Sequence, residues 1–339
     1  MIHSGRRAAG WPLLIVALGA LGGCGKSGGP GQAPLAGADP RNQPAVASGG
    51  ATPGDASAEQ VAKEARADLD CPAKIATTAR QAGAPVDDIQ GVRPGLTYEE
   101  AWNAVLCTNG MLVASAQSDH GFNINTYGQK LRQGFNAHYA AARVTRTGRQ
   151  IVQEMEREAS ARGMNAVRHD LDPGQSRWLV DTMGLPGQER VLSVAHRERF
   201  PAGGNPSAAS TQASLVQKYG TPSHLRDNGP DAGVELIWEY DTQGHLVPDG
   251  SQLYSHCWAD PDPDAGLSVN PDCTLGVYAR LKPVRGTPGL VDVLDVKVVA
   301  LADGYRLVTQ AEAQLKQQDQ QRQAQAVESA SKDVKAPSL

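Results

Sequence analysis

The strongest constraint on the fold is an alternation of apolar and polar residues in the C-terminal half of the chain. Apolar residues occupy alternate positions from 234 to 240, and the positions between them include Glu235 and Glu239. The same alternation runs over 275–281, and 290–301 is predicted to form a further long strand. Because successive side chains of a strand point to opposite faces, this pattern predicts antiparallel strands with one buried and one solvent-exposed face. We therefore expect Glu235 and Glu239 to face water.

Turn and helix signals around these strands complete an α+β pattern. The apolar segments 178–180 and 191–194 flank Gly184-Leu185-Pro186-Gly187, which predicts a hairpin with Pro and Gly at the centre of its turn. The segment 207–219 is predicted to be a helix that ends at Gly220. The expected fold class is therefore α+β, with antiparallel sheet packed by helices, either as one unit or as two tandem small modules.

Three helices are predicted before residue 165. The first begins at Ala58 with Ser57 as its cap, and the second follows Thr97, with Glu100 in its positive first turn. Ala101, Val105 and Trp102 form the apolar stripe of the second helix. The third spans 146–163, and its apolar side contains Ile151, Val152, Met155 and Ala159.

The first 23 residues have the pattern of an export signal. Arg6 and Arg7 make a basic start, an apolar run extends over 11–18, and small residues precede Cys24. The apolar run is too short to span a bilayer as a permanent helix. The segment 25–57 consists mostly of Gly, Ala, Pro and Ser, so it cannot bury a core and is predicted to be a disordered tether.

Leu21-Gly22-Gly23-Cys24 closely resembles the lipobox of bacterial lipoproteins. The resemblance implies that Cys24 carries a diacylglyceryl group on its sulfur, that the chain is cut before Cys24, and that the new amino group is acylated. Each buried methylene contributes about 0.8 kcal/mol, so two or three lipid chains would anchor the protein firmly to a membrane. Gly25 stands where an aspartate usually retains lipoproteins in the inner membrane, which favours the outer membrane, facing the periplasm. An ordinary signal peptide with an incidental cysteine is the alternative.

We expect five segments along the chain. The C-terminal segment is rich in Gln and in helix-forming residues but has no apolar stripe, which predicts a frayed helix or a disordered tail. The segments are a signal peptide (1–23), the lipidated cysteine and its tether (24–57), a mainly helical module (58–165), an antiparallel α+β module (166–308) and the Gln-rich tail (309–339).

Assigning Cys24 to lipid leaves four cysteines, an even number that suggests disulfides in an oxidising compartment. Four cysteines allow three pairings. We favour Cys71–Cys107 and Cys257–Cys273, because each of these would close one region of the chain. Metal ligation by free cysteines is the alternative, but no C-x-x-C spacing or nearby His pair supports it.

Asp260, Asp262 and Asp264 occupy alternate positions, as the first ligands of a calcium loop do. An EF-hand also needs glycine at the sixth position and glutamate at the twelfth, where this chain has Ala265 and Pro271. The three aspartates are thus a weak calcium candidate, and a solvated acidic loop is the preferred interpretation. We predict no other metal site and no cofactor.

Little else in the chain suggests chemistry. His196, His256 and Asp260 are the candidates for a hydrolase whose acid–base groups converge only in the fold. Arg143, Arg146 and Arg149 form a small basic cluster. The formal net charge is −4, and removal of the signal peptide makes it more negative, so no nucleic-acid partner is expected.

The segment 91–97, followed by a helix with an acidic first turn, is similar to the start of small envelope modules. These are the BamE (SmpA/OmlA) family and the beta-lactamase-inhibitor-protein-like repeats. The segments 215–222 and 236–240 resemble the helix end, turn and first strand of the same modules, and the likeness covers roughly 91–110 and 207–241. It implies short helices on an antiparallel sheet and a protein that binds other envelope proteins without catalysis.

The expected function is therefore that of a lipid-anchored, non-catalytic binding or scaffolding module in the cell envelope. Its expected partners are the membrane, through the anchor, and another envelope protein. A periplasmic hydrolase is the alternative. A deep pocket with facing titratable groups would favour the enzyme, and an open groove or sheet face would favour the binding module.

Overall fold

An eight-stranded antiparallel sheet organises this computed structural model of the protein. The structure describes residues 55–72, 75–80, 82–117, 122–162 and 171–332. Cys24 and its tether up to residue 54 lie outside the described residues. The strands are β1 (Leu112–Gln117), β2 (Gly134–Tyr139), β3 (Ser176–Met183), β4 (Arg190–Arg199), β5 (His224–Asp227), β6 (Val234–Asp241), β7 (Cys273–Val284) and β8 (Thr287–Ala300).

Six helices accompany the sheet within the described ranges. None of them combines the length and the apolar character that a membrane-crossing helix requires. They are α1 (Ala58–Ala65), α2 (Tyr98–Leu106), α3 (Gly148–Arg162), α4 (Ala208–Tyr219), α5 (Tyr254–Cys257) and α6 (Leu301–Lys332).

The sheet consists of two four-stranded meanders that meet at its centre. The strand order is β1-β2-β3-β4-β8-β7-β6-β5, so that β4 pairs with β8 in the middle. A helix precedes each meander in the chain, α2 before β1 and α4 before β5. The predicted α+β class with an antiparallel sheet is confirmed.

The boundary between the two halves differs from the expected one. We expected a helical module to end near residue 165, but β2 and β3 lie on either side of that position and pair directly. The two expected modules therefore share one sheet. In the topology, the division falls instead between β4 and α4, because each meander is a set of consecutive strands.

The helices α2 and α4 pack on the same face of the sheet, which we call the helix face. A continuous apolar row crosses this face in register: Phe135, Val180, Val194, Val298, Val277 and Trp238. Tyr98 of α2 packs on Phe135 at one end of the row, and Tyr219 of α4 packs on Trp238 at the other, each with ring centroids 5.4 Å apart. The core thus lies between this row and the two helices.

Both helices begin where their capping residues predict. Thr97 and Glu100 form a reciprocal capping box: the Thr97 hydroxyl accepts from the Glu100 N–H at 3.1 Å, and the Glu100 carboxylate accepts from the Thr97 N–H at 2.8 Å. The Ser207 hydroxyl caps α4 by accepting from the Ser210 N–H at 3.0 Å, and Gly220, at φ 85°, ends this helix. Ser57 caps α1. The predicted caps Ser57 and Thr97, and the predicted end of the fourth helix at Gly220, are confirmed.

Two predicted helices differ from expectation in their surroundings. The apolar side of α3 is exposed, with Ile151, Val152 and Met155 showing 45%, 54% and 65% of their surface. Conversely, α6 continues to Lys332 without a break at residue 308, and its first half is packed, because Leu315 is fully buried. The side chains of residues 157–162, including Ala159, lie outside the described ones.

Both favoured cysteine pairs are disulfides in the structure. Cys71–Cys107 joins the segment after α1 to the end of α2, with Cα atoms 5.4 Å apart. Cys257–Cys273 joins α5 to the first residue of β7, with Cα atoms 5.6 Å apart. The second bridge closes the loop 258–272, which lies on the other face of the sheet.

The capping box of α2 provides a test of how local signals stabilise the fold. Thr97→Ala removes the hydroxyl acceptor, and we expect it to lower the free energy of unfolding by about 1 kcal/mol. Thr97→Ser retains the hydroxyl and should remain within a few tenths of wild type. Urea denaturation followed by circular dichroism measures both values. Equal stability of Thr97→Ala and wild type would show that the cap does not contribute.

Candidate functional site

The face of the sheet opposite the helix face carries a row of charged residues, and we call it the charged face. Six side chains lie in direct register across six neighbouring strands, so they share this face. In strand order from β3 to β5 they are Arg177, Arg197, Asp295, Arg280, Glu235 and Arg226.

Carboxylates and guanidinium groups pair along this row. Asp295, which is fully buried, accepts from Arg197 Nε at 2.6 Å. Glu235 accepts from Arg280 Nε at 2.7 Å and from Arg226 Nη1 at 3.1 Å. The prediction that Glu235 faces water is therefore wrong, because Glu235 is 4% exposed and paired with two arginines.

The loop 258–272 supplies the carboxylates that the row lacks. The row contains four arginines but only two acids, and burying an uncompensated charge is costly. The aspartates of the loop form ion pairs with three of these arginines. The shortest contacts are Asp260–Arg280 (3.0 Å), Asp262–Arg197 (2.9 Å) and Asp264–Arg177 (2.6 Å).

These contacts revise both interpretations of the acidic loop. Asp262 is 9% exposed, and Pro261 and Pro263 on either side of it are also buried, so the expectation of a solvated loop is wrong here. Among the described residues no cluster of three or more His, Cys, Asp or Glu side chains is arranged to hold a metal ion. The carboxylates of the calcium candidate, Asp260, Asp262 and Asp264, are instead paired with guanidinium groups.

Charge pairing also determines protonation under the loop. Burial raises the pKa of Asp262, but the hydrogen bond from the Asp264 N–H and the Arg197 charge outweigh it and lower the pKa below its ordinary value. Lys297 is 1% exposed and donates to the Asp262 carbonyl at 3.0 Å. Burial lowers the pKa of Lys297.

Glu239 is an exception on the charged face. It was expected to face water, but it is fully buried, and among the described residues neither of its carboxylate oxygens has a hydrogen-bond partner. Burial raises its pKa to about 8, so the neutral acid predominates at neutral pH. His224 lies on the neighbouring strand with its Nδ1 3.1 Å from Asp249, while its Nε2 is buried and also without a partner among the described residues.

A cleft of about 490 Å³ opens where β4, β7 and α6 begin, and we call it the arginine cleft. Its volume falls in the range of sites for small molecules. Proline and aliphatic side chains form part of the wall, including Pro85, Pro94, Leu275 and Leu307. The charged residues that line it are Arg80, Arg93, Arg190, Arg306, Asp87 and Asp303.

The turn at Pro94-Gly95 builds one wall of this cleft. Gly95, at φ 85°, reverses the chain, and its N–H donates to the Val191 carbonyl at 2.9 Å. The Val191 N–H returns a bond of 2.9 Å to the Leu96 carbonyl. The segment 93–96 therefore pairs with the first residues of β4, beyond the point where β8 ends and α6 starts, and Arg93 and Arg190 both line the cleft.

The arginines of the cleft are unequally compensated. Arg80 bonds Asp87 and Asp88, each at 2.6 Å, and Arg306 bonds Asp303 at 3.1 Å. Arg93 donates to the Thr78 carbonyl at 2.6 Å and to the Pro94 carbonyl at 3.1 Å, with Asp87 3.9 Å away.

Arg190 has the least compensated charge of the four. Its bond goes to the backbone carbonyl of Glu189, at 3.1 Å. Within the described part of the chain it forms no ion pair with a carboxylate. The lining thus carries four cations and two anions, and the first turn of α6 adds the positive end of its helix dipole.

A smaller polar cavity of about 130 Å³ lies on the helix face beside His196. His196 is 4% exposed and packs against Trp178 with ring centroids 4.2 Å apart, and burial lowers its pKa to about 4. Glu198 also lines the cavity, and burial raises its pKa. His196 is therefore a neutral, buried histidine at neutral pH.

The structure does not bring together the residues expected for a hydrolase. His196 lies on the helix face, whereas Asp260 bonds Arg280 on the charged face, so the sheet separates these two candidates. His256 is exposed and contacts Asp272 at 3.3 Å. An acid–base site made of His196, His256 and Asp260 is thus excluded by their positions.

The basic cluster predicted near α3 is an exposed surface. Arg143 bonds Glu64 at 3.0 Å, and Arg146 and Arg149 lie at or just before the start of α3. Sequence reasoning missed the arginine cleft, because its cations are far apart in the chain. Only the Arg93-Pro94-Gly95 turn gave a local signal.

The chain finds no significant match among protein-family models, curated proteins or solved structures. A fold alone does not define an activity.

The buried charge row leads to a prediction about stability. Asp295→Asn keeps the shape of the side chain but leaves Arg197 and Lys282, both bonded to Asp295, without this carboxylate. We expect a loss of about 3–5 kcal/mol in the free energy of unfolding, measured by urea denaturation. Glu64→Gln, which breaks the exposed pair with Arg143, should cost less than about 1 kcal/mol. Similar losses in both variants would contradict the proposed importance of the row.

Glu239 predicts a specific dependence of stability on pH. Its folded pKa of about 8 exceeds the ordinary value of 4.5, so the folded state holds a proton that the unfolded state releases. This contribution is complete below pH 4.5 and is lost as pH rises through 8. The free energy of unfolding of Glu239→Gln should therefore rise relative to wild type by a few kcal/mol over this interval. Parallel pH profiles of the two proteins, from urea denaturation, would contradict the buried acid.

Proposed function

We propose that this protein is a lipoprotein of the bacterial envelope, anchored to the outer membrane through Cys24 and facing the periplasm. The lipobox resemblance of residues 21–24 supports the anchor. The two disulfides support an oxidising compartment, since such bonds persist outside the cytosol.

Within the envelope the protein acts as a non-catalytic binding module, and the arginine cleft is its binding site. The observation that carries this proposal is an arginine, Arg190, that lines a cleft of about 490 Å³ without a carboxylate partner among the described residues. A guanidinium keeps its charge at every physiological pH, so it suits binding better than proton transfer. The described lining contains no His, Cys, Lys or Tyr.

Two further observations support binding over hydrolysis. The acid–base candidates lie on opposite faces of the sheet, which removes the arrangement that favoured an enzyme. Each half of the fold is a helix followed by antiparallel strands, in agreement with the helix-on-sheet arrangement that the BamE-like resemblance implies. The partner we propose on this basis is another envelope protein.

Metabolic labelling tests the anchor. Cells that express the wild-type chain should incorporate palmitate into the protein and retain it in the outer-membrane fraction. Cys24→Ser removes the sulfur that accepts the lipid, so the variant should be unlabelled. An unlabelled wild-type protein, or its recovery from the cytosol, would contradict the proposal.

The binding role is tested by crosslinking in intact cells followed by mass spectrometry. A consistent envelope protein should be recovered with wild type and lost with Arg190→Gln. Arg285→Gln is the matched control, because Arg285 is exposed in the turn at the opposite end of β7 from the cleft. Recovery that is equal for both variants would exclude the cleft as the contact site.

A further inference from the structure

We infer that the arginine cleft binds an acidic peptide segment, with a peptide carboxylate bonded to Arg190 and an aliphatic side chain against the apolar wall. This inference deepens the proposed binding function and rests on it for the role of the cleft. It names the chemistry of the ligand, which the proposed function leaves general.

The guanidinium groups define the charged end of the ligand. A guanidinium presents its N–H groups as a planar fork that matches the two oxygens of a carboxylate. Arg190 forms no ion pair among the described residues, and Arg93, which lines the same cleft, bonds chiefly to carbonyls. A ligand carboxylate at this position would neutralise part of the excess positive charge of the cleft.

The remaining lining separates a peptide from other anions. Asp87 and Asp303 also line the cleft, and these carboxylates can accept hydrogen bonds from peptide N–H groups, whereas an ionised polyphosphate has no donors to offer them. The described lining has no aromatic side chain on which a nucleobase could stack. Pro85, Pro94 and Leu307 instead provide aliphatic surface. A mixed lining of cations, acceptors and aliphatic groups fits a peptide best.

The size and position of the cleft agree with this ligand. The cleft volume of about 490 Å³ exceeds the volume of a single inorganic ion, so an ion alone would leave the apolar wall exposed to water. The α6 helix begins at the same place, and its first-turn N–H groups are donors that favour a negative charge.

Fluorescence anisotropy with the purified full-length mature protein in detergent tests the inference. The probe is a labelled peptide, acetyl-Leu-Glu-Ala-Glu-amide, and its matched neutral control is acetyl-Leu-Gln-Ala-Gln-amide. Wild type should bind the acidic peptide and not the neutral one, and the affinity should fall as salt rises, since partly exposed charges are screened.

Variants locate the site. Arg190→Gln should weaken binding of the acidic peptide at least about tenfold, and Arg190→Lys should recover only part of the loss, because a lysine lacks the planar fork. Arg285→Gln should bind like wild type. Melting temperatures of all three variants show whether they fold, so a loss of binding in a folded Arg190→Gln protein is interpretable.

Three results would overturn the inference. These are equal binding of the acidic and neutral peptides, unchanged binding by Arg190→Gln, and complete displacement by inorganic phosphate at the peptide's own concentration. A partner recovered in cells by wild type and lost with Arg190→Gln, together with no peptide binding, would reject only the peptide and keep the proposed function. Peptide binding by a protein that takes up no palmitate would reject the anchor and keep the site.

Discussion

The pairing of three loop aspartates with three strand arginines is the interaction on which one whole side of the molecule depends. The charged row contains four arginines and two acids. A loop can bury this row only if the loop brings further carboxylates, because desolvation of unpaired charge is costly. The loop 258–272 brings these carboxylates in an order that matches the strands beneath it. Once the row is neutralised, apolar groups such as Leu301 and Tyr278 can pack nearby, and the Cys257–Cys273 disulfide holds the two ends of the loop at the sheet.

The location of the arginine cleft follows from the unequal lengths of the strands and segments around it. The segment 93–96 replaces β8 as the neighbour of β4 at its first residues, since β8 has already turned into α6. A gap remains between this segment, the start of β7 and the first turn of α6, and that gap is the cleft. Helix packing on one face and loop packing on the other thus leave an opening at the end of the sheet, which four arginines from separate segments line.

Capping and turn residues predicted much of the fold, whereas contacts between residues far apart in the chain could not be predicted from the sequence. Ser57, Thr97 and Gly220 act within a few residues of themselves, so their roles could be deduced directly. The alternation around Glu235 located the strand but could not tell that a loop more than twenty residues away would cover its polar face. The aspartates at 260, 262 and 264 suit calcium and arginine equally by spacing alone. Only the register of the strands shows that arginines lie beneath them.

The contrast between the two sets of arginines is the main argument that the cleft is functional. Each arginine of the charged row has a carboxylate within 3.1 Å, although the partners come from different strands and from the loop. The positive charge of each guanidinium group in the row is therefore neutralised by a carboxylate of the same chain. Arg190, which lies on the same strand as Arg197, is bonded to a backbone carbonyl instead. The four arginines of the charged row thus have carboxylate partners, whereas Arg190, which lines a cleft, has none within the described part of the chain. We therefore propose that its partner comes from another molecule.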